Sequence, residues 1–110
     1  MLKTTEAQLQ HTVIELAQAL GWLAAHFRAA QTSRGWRTPV EGDGAGFPDL
    51  VLARGARGNS PGRLIFAELK SDRGTLSPTQ VRWLDTLRAS GCEVYVWRPA
   101  DIDDITQILR

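Results

Sequence analysis

The segment Leu64-Ile65-Phe66-Ala67-Glu68-Leu69-Lys70 constrains this chain most. Side chains alternate along a strand, so Leu64, Phe66, Glu68 and Lys70 share one face and Ile65, Ala67 and Leu69 take the other. Apolar residues on both faces argue against a solvated edge. The face that begins with Leu64 and Phe66 ends in two opposite charges. A strand of that kind leaves the interior at its C-terminal end and opens into a cleft.

Other elements surround this strand. Thr4 or Thr5 caps a helix running to about Leu20, with Gly21 as its stop. Leu9, Val13, Leu16 and Leu20 form its apolar stripe. At 100° per residue Glu6 lies within about 20° of Val13, which puts this acid on the core-facing side of the first turn. Trp22 to Phe27 reads as a short strand and Arg28 to Phe47 as a long Gly- and Arg-bearing loop. Asp49 to Ala53 is a strand, joined to the next by a Gly-Pro-rich connection. Ser77-Pro78 opens a helix that ends near Ser90, and there Gln80 lies within about 40° of Leu84 and Leu87. Cys92 to Arg98 is a strand, and Asp101 to Leu109 a closing helix. The order α-β-β-β-α-β-α predicts an α/β fold, a mixed sheet flanked by helices. With 110 residues there is room for one domain, 1–110.

Pro48-Asp49 precedes the Glu68-Leu69-Lys70 signature. Two carboxylates, Asp49 and Glu68, with the ammonium of Lys70, are the minimum set for holding a hard divalent cation and orienting water against a phosphate. Singly each residue has a plainer reading: Asp49 as a strand or turn initiator, Gln80 as a buried amide bonded to backbone, Glu6 as an ordinary first-turn acid. What distinguishes them is that these three and the Glu68–Lys70 pair, four exceptions in all, fall at element ends, where they can converge.

These residues, in this order, resemble the PD-(D/E)xK nuclease superfamily and within it the VRR-NUC (virus-type replication-repair nuclease) domain. The likeness rests on Glu6 with Gln10, Gly46-Phe47-Pro48-Asp49-Leu50, Glu68-Leu69-Lys70, Ser77-Pro78-Thr79-Gln80 with Trp83-Leu84, and Val94-Tyr95-Val96-Trp97-Arg98-Pro99. It implies a restriction-endonuclease-like core and a Mg²⁺-dependent endodeoxyribonuclease, with Mn²⁺ able to substitute. Asp49, Glu68 and the Leu69 carbonyl would then be metal ligands, and Glu6 would complete the shell directly or through water. Lys70 would position or deprotonate the attacking water and stabilise transition-state charge. Gln80 would orient Lys70 or the water. Stand-alone members resemble Holliday-junction resolvases, which implies branched DNA as partner, a homodimer, and roles in replication, recombination or repair in a bacterial cell or phage-infected host. A DNA-binding module without activity and a restriction-type duplex nuclease are the rival readings. The intact polar set argues against the first, and the lack of a separate recognition element against the second.

Charge bears on the partner. The net charge is only +1, yet Lys3 and Lys70 are the only lysines and the other basic residues are arginines, suited to bidentate phosphate contacts. Arg28, Arg34, Arg37, Arg54, Arg57 and Arg73 are expected to flank the site and touch DNA, with Trp36 as a candidate base-stacking ring. Trp22, Trp83 and Trp97 are expected in the core. One cysteine, Cys92, excludes an internal disulfide framework. A polar N-terminus and no apolar run near the roughly 20 residues of a membrane span lead to the expectation of a cytoplasmic protein.

Overall fold

Thr5 starts α1 (Glu6–Ala19) through a capping box: its hydroxyl accepts from Gln8 N at 3.1 Å, and the Gln8 amide accepts from Thr5 N at 2.8 Å. The computed structural model describes residues 4–27, 30–32, 35–37 and 41–110, with 30–32 and 35–37 as backbone only. β1 (Leu23–His26), β4 (Leu50–Arg54), β5 (Arg63–Leu69) and β6 (Glu93–Trp97) form one sheet in the order β1-β4-β5-β6. β2 (Ala30–Thr32) and β3 (Gly35–Arg37) pair as a separate antiparallel hairpin. α2 (Pro78–Ala89) links the parallel strands β5 and β6, and α3 (Ile102–Leu109) closes the chain after a single 3-10 turn at Pro99–Asp101.

The sheet is mixed and flanked by helices, as the order of elements required. The β2–β3 hairpin is an addition inside the segment read as loop. Each of its arms has three residues, too few for alternation to register as a pattern. On one sheet face Leu50, Leu52, Ile65, Ala67, Leu69 and Trp97 meet Leu9, Val13 and Ala17 of α1 and Ile105 and Leu109 of α3. Each of the buried leucine, isoleucine and valine side chains contributes roughly 2 kcal/mol. The opposite face carries Phe66, Glu68 and Val94, with α2 packed beside β6 and Leu84 buried there. Among the described residues no helix is long and apolar enough to cross a membrane.

Strand direction sets which residues reach the cleft. β4 runs away from Asp49, so Arg54 and Arg57 lie at the far end of the sheet, about 16 Å or more from it. This corrects the expectation that both flank the site. Arg54 is 8% exposed, and its guanidinium donates to Leu20 O at 3.3 Å, Leu109 O at 2.8 Å and Arg110 O at 3.1 Å. It also lies 4.5 Å from the centre of the Trp22 ring, whose Nε1 shares Leu109 O at 2.8 Å. Arg63 completes the clamp, donating to Ile108 O at 2.7 Å and pairing with both Glu93 oxygens. Two arginines therefore serve as the C-terminal cap of α3, where carbonyls otherwise lack partners. Arg54→Ala strands these carbonyls and is expected to lower Tm by on the order of 10 °C. The exposed Arg57→Ala should change it little, as thermal unfolding of the two proteins will show.

Candidate active site

Asp49 reaches the cleft because the loop before it is seated on α2. Gly46 has φ +83, and a Cβ there would lie 2.5 Å from the carbonyl carbon of Thr79 and 2.7 Å from Gln80 N. Only glycine permits that approach. Phe47 then inserts edge-on among Phe27, Phe66 and Trp83 with ring centroids 5.3, 6.1 and 4.9 Å away. Trp83 Nε1 donates to Asp43 O at 2.8 Å, and Pro48 is fully buried. Loop, aromatic cluster and helix start thus form one block that delivers Asp49 to the strand.

Register brings the acids together. Leu50 pairs with Ala67 in the antiparallel β4–β5 ladder, so Asp49 stands opposite Glu68 and on the same face. Asp49 Oδ2 accepts from Leu69 N at 2.8 Å, which fixes its carboxylate across the end of β5. Glu68 is 2% exposed. Its Oε1 accepts from Gln80 Nε2 at 2.9 Å, while Oε2 is buried with no hydrogen-bond partner among the described residues. Burial first, and the neighbouring Asp49 carboxylate second, push the Glu68 carboxyl up to about 8, against the pull of the Lys70 ammonium. A buried oxygen without a partner beside a second carboxylate fits a divalent cation held by oxygen ligands. Asp49 and Glu68 are the carboxylates that would hold it, with the Leu69 carbonyl as the expected third ligand.

Gln80 is oriented by its helix. Its Oε1 accepts from Ser77 N at 2.8 Å and its backbone N donates to Ser77 Oγ at 3.2 Å, a second capping box. With the amide oxygen committed to Ser77, the amide nitrogen faces Glu68. The expected partner of Gln80 was Lys70 or a water; the direct partner is the Glu68 carboxylate.

Glu6 differs from its expected placement. It is exposed, because the first turn of α1 precedes Leu9, the first buried residue of the stripe. Among the described residues no three acidic, histidine or cysteine side chains gather closely enough to hold a metal. One turn on, Gln10 Nε2 lies 3.1 Å from His26 Nδ1 at the site end of β1. Arg73 sits exposed in the turn after Lys70, at the site end of the sheet. Arg28 and Arg34 lie outside the described residues, as do the side chains of Arg37 and Trp36.

Arg98 is a site-supporting residue to which the sequence reading assigned no role. Its Nη1 donates to Ser71 O and to Gly74 O, both at 2.7 Å, tying down the turn that follows Lys70. A Cβ on Gly74 would lie 3.3 Å from Lys70 Cδ, so this turn is the floor under the lysine stem. Lys70 N also donates to Trp97 O at 3.0 Å. Asp72-Arg73-Gly74 has the composition of a turn, but nothing local names the side chain that holds it. Loosening the lysine by Arg98→Ala is expected to lower kcat on the order of tenfold with a smaller change in KM. Steady-state kinetics beside a melting curve will separate that from unfolding.

The chain was compared with known proteins. The VRR-NUC domain family model matches residues 5–101. One solved structure, described as a VRR_NUC domain, is 24% identical with a TM-score of 0.66 over 94% of this chain and 96% of its own. A second, a VRR_NUC domain protein, is also 24% identical, with a TM-score of 0.64 over 98% of this chain and 87% of its own. No protein of curated function matches. The fold is therefore that of these structures, and with nearly the whole length matched by the family model, the chain belongs to the VRR-NUC domain family of nucleases.

Proposed function

We propose that this protein is a Mg²⁺-dependent endodeoxyribonuclease that hydrolyses phosphodiester bonds in branched DNA, with Mn²⁺ able to replace Mg²⁺. The observation that carries the reading is the buried Glu68 carboxylate, one oxygen held by Gln80 and the other without a partner, facing Asp49. A bound divalent cation supplies Lewis acidity at the phosphate and a water of lowered pKa. Asp49 and Glu68 would hold it, and Gln80 keeps Glu68 in the orientation that presents Oε2 inward. Lys70 sets its ammonium toward the non-bridging oxygens, where negative charge grows as the water adds. Glu6, exposed at the start of α1, would reach that ion only through water. Arg73, exposed in the turn after Lys70, meets the DNA backbone beside the cleft. A homodimer offers two clefts for paired cuts in a four-way junction, an argument from family analogy.

A cleavage panel of supercoiled, flapped, single-stranded and four-way DNA tests the proposal, run with Mg²⁺, with EDTA and with Asp49→Ala. Cleavage is expected only with metal and the intact aspartate, and strongest on branched DNA. Cutting that survives EDTA or Asp49→Ala would overturn the assignment. Tight DNA binding with no cutting on any substrate would favour the inactive binding module instead.

A further inference from the structure

A cavity of about 310 Å³ opens between the 42–45 loop and the outward stripe of α2. Its walls include Asp43, Ala45, Thr79, Arg82, Trp83 and Thr86. It shares both its supports with the site: Thr79 precedes Gln80, and the loop continues into Asp49. The volume is at the small end of ligand pockets, large enough for one flat heterocycle.

The chemistry of the walls narrows the occupant. Trp83 is fixed from two sides, by the Phe47 ring against it and by its indole N–H spent on Asp43 O. What it offers the cavity is a rigid aromatic surface with no free donor, a stacking partner for a planar ring. The Arg82 guanidinium has no acceptor among the described residues. The hydroxyls of Thr79 and Thr86 are engaged, with Ser77 Oγ at 3.1 Å and with Arg82 O at 2.7 Å. Asp43 is also in the wall, an acidic residue whose charge disfavours a phosphate there and whose side chain can accept from a ring amino group. An aromatic platform with one donor group and one acceptor group at its rim fits a nucleobase.

We propose that this cavity receives one unpaired nucleobase of the DNA strand held at the neighbouring carboxylates, stacked on Trp83. The inference rests on the nuclease reading of that site and adds the substrate's form. In a duplex every base is paired and stacked, so filling the cavity from paired DNA costs a few kcal/mol of unpairing. A flap, loop or single-stranded arm supplies the base without that cost. The protein therefore favours DNA with an unpaired nucleotide next to the scissile bond.

The test is an abasic scan. Single-stranded and flapped oligonucleotides carry one abasic position moved stepwise along the strand. Binding to the wild-type chain is read by fluorescence anisotropy in EDTA, and cleavage in Mg²⁺. One position is expected to weaken binding on the order of tenfold when its base is removed. Thr86→Phe, an exposed helix position, fills the cavity without touching the Phe47 contact and keeps the test independent of Trp83 variants that lose the fold. It should bind intact and abasic strands equally, at the weaker level. A flat scan on a wild-type protein that binds and cleaves overturns the base pocket alone. Failure to bind these strands by a protein that cuts a four-way junction also overturns the pocket alone, and failure on every substrate, the junction included, overturns the pocket and the nuclease reading together.

Discussion

Glu68→Gln is expected to raise the melting temperature of the metal-free protein at alkaline pH while reducing cleavage by on the order of a thousandfold or more. The folded carboxyl titrates at about 8 rather than 4.5, because burial and Asp49 oppose its charge. An acid raised in this way contributes stability below the unfolded value and loses it as pH rises through the folded one. Wild type should therefore fall behind the Glu68→Gln variant between about pH 4.5 and pH 8, and the gap should be fully open above that. The full shift sets an upper bound of about 5 kcal/mol, and screening by water at the cleft reduces the gap to on the order of 2 kcal/mol, or several degrees for a domain of this length. The glutamine amide keeps the shape of the carboxyl and still accepts from Gln80. Melting curves of both proteins in EDTA at pH 5 and pH 8.5 check this, with near coincidence expected at the lower pH. A variant that melts below wild type at pH 8.5 would remove the claim that this carboxylate is held at the expense of the fold.

Gly46→Ala should be the most damaging small substitution in the loop. The backbone is in the left-handed region at φ +83, and the added methyl would sit 2.5 Å from backbone that cannot yield without moving the first turn of α2. The expected loss is on the order of 3 kcal/mol, and cleavage should suffer beyond the loss of folded protein because Asp49 and Gln80 shift apart. Gly42 is the natural comparison: φ is +71, but nothing lies within 4 Å of its Cβ position. Gly42→Ala should therefore show the conformational cost alone, about 1 kcal/mol. Equal destabilisation by the two alanines, in urea unfolding, would mean that the contact with α2 does not matter.

The parts that sequence revealed were those written in local period. Alternation along 64–70 placed Glu68 and Lys70 on one face, and the buried Ile65, Ala67 and Leu69 on the other. The Ser77-Pro78 start located α2, and the Gln80 phase turned that residue toward the sheet, where it meets Glu68. What sequence could not supply was tertiary. Arg54 resembles any loop-edge arginine until the end of α3 returns beside it and needs its carbonyls capped. Glu6 stands a turn before the packed residues of its helix begin, and so it is exposed rather than core-facing. Arg98 acts across 24 to 27 residues, and no local pattern announces that. The β2–β3 arms are too short to be read at all.

The capping box at α2 has a meaning for protein engineering. For a helix start, glutamate and glutamine at the third position serve about equally well, since either side chain reaches back to the cap's N–H. Here the amide's other end touches Glu68, so glutamate would satisfy the helix and set a third carboxylate against a buried one. Consensus redesign guided by helix stability would see the two residues as interchangeable at position 80. A selection for thermal survival alone would carry such variants forward, and only an assay of cutting would find that the enzyme had been lost.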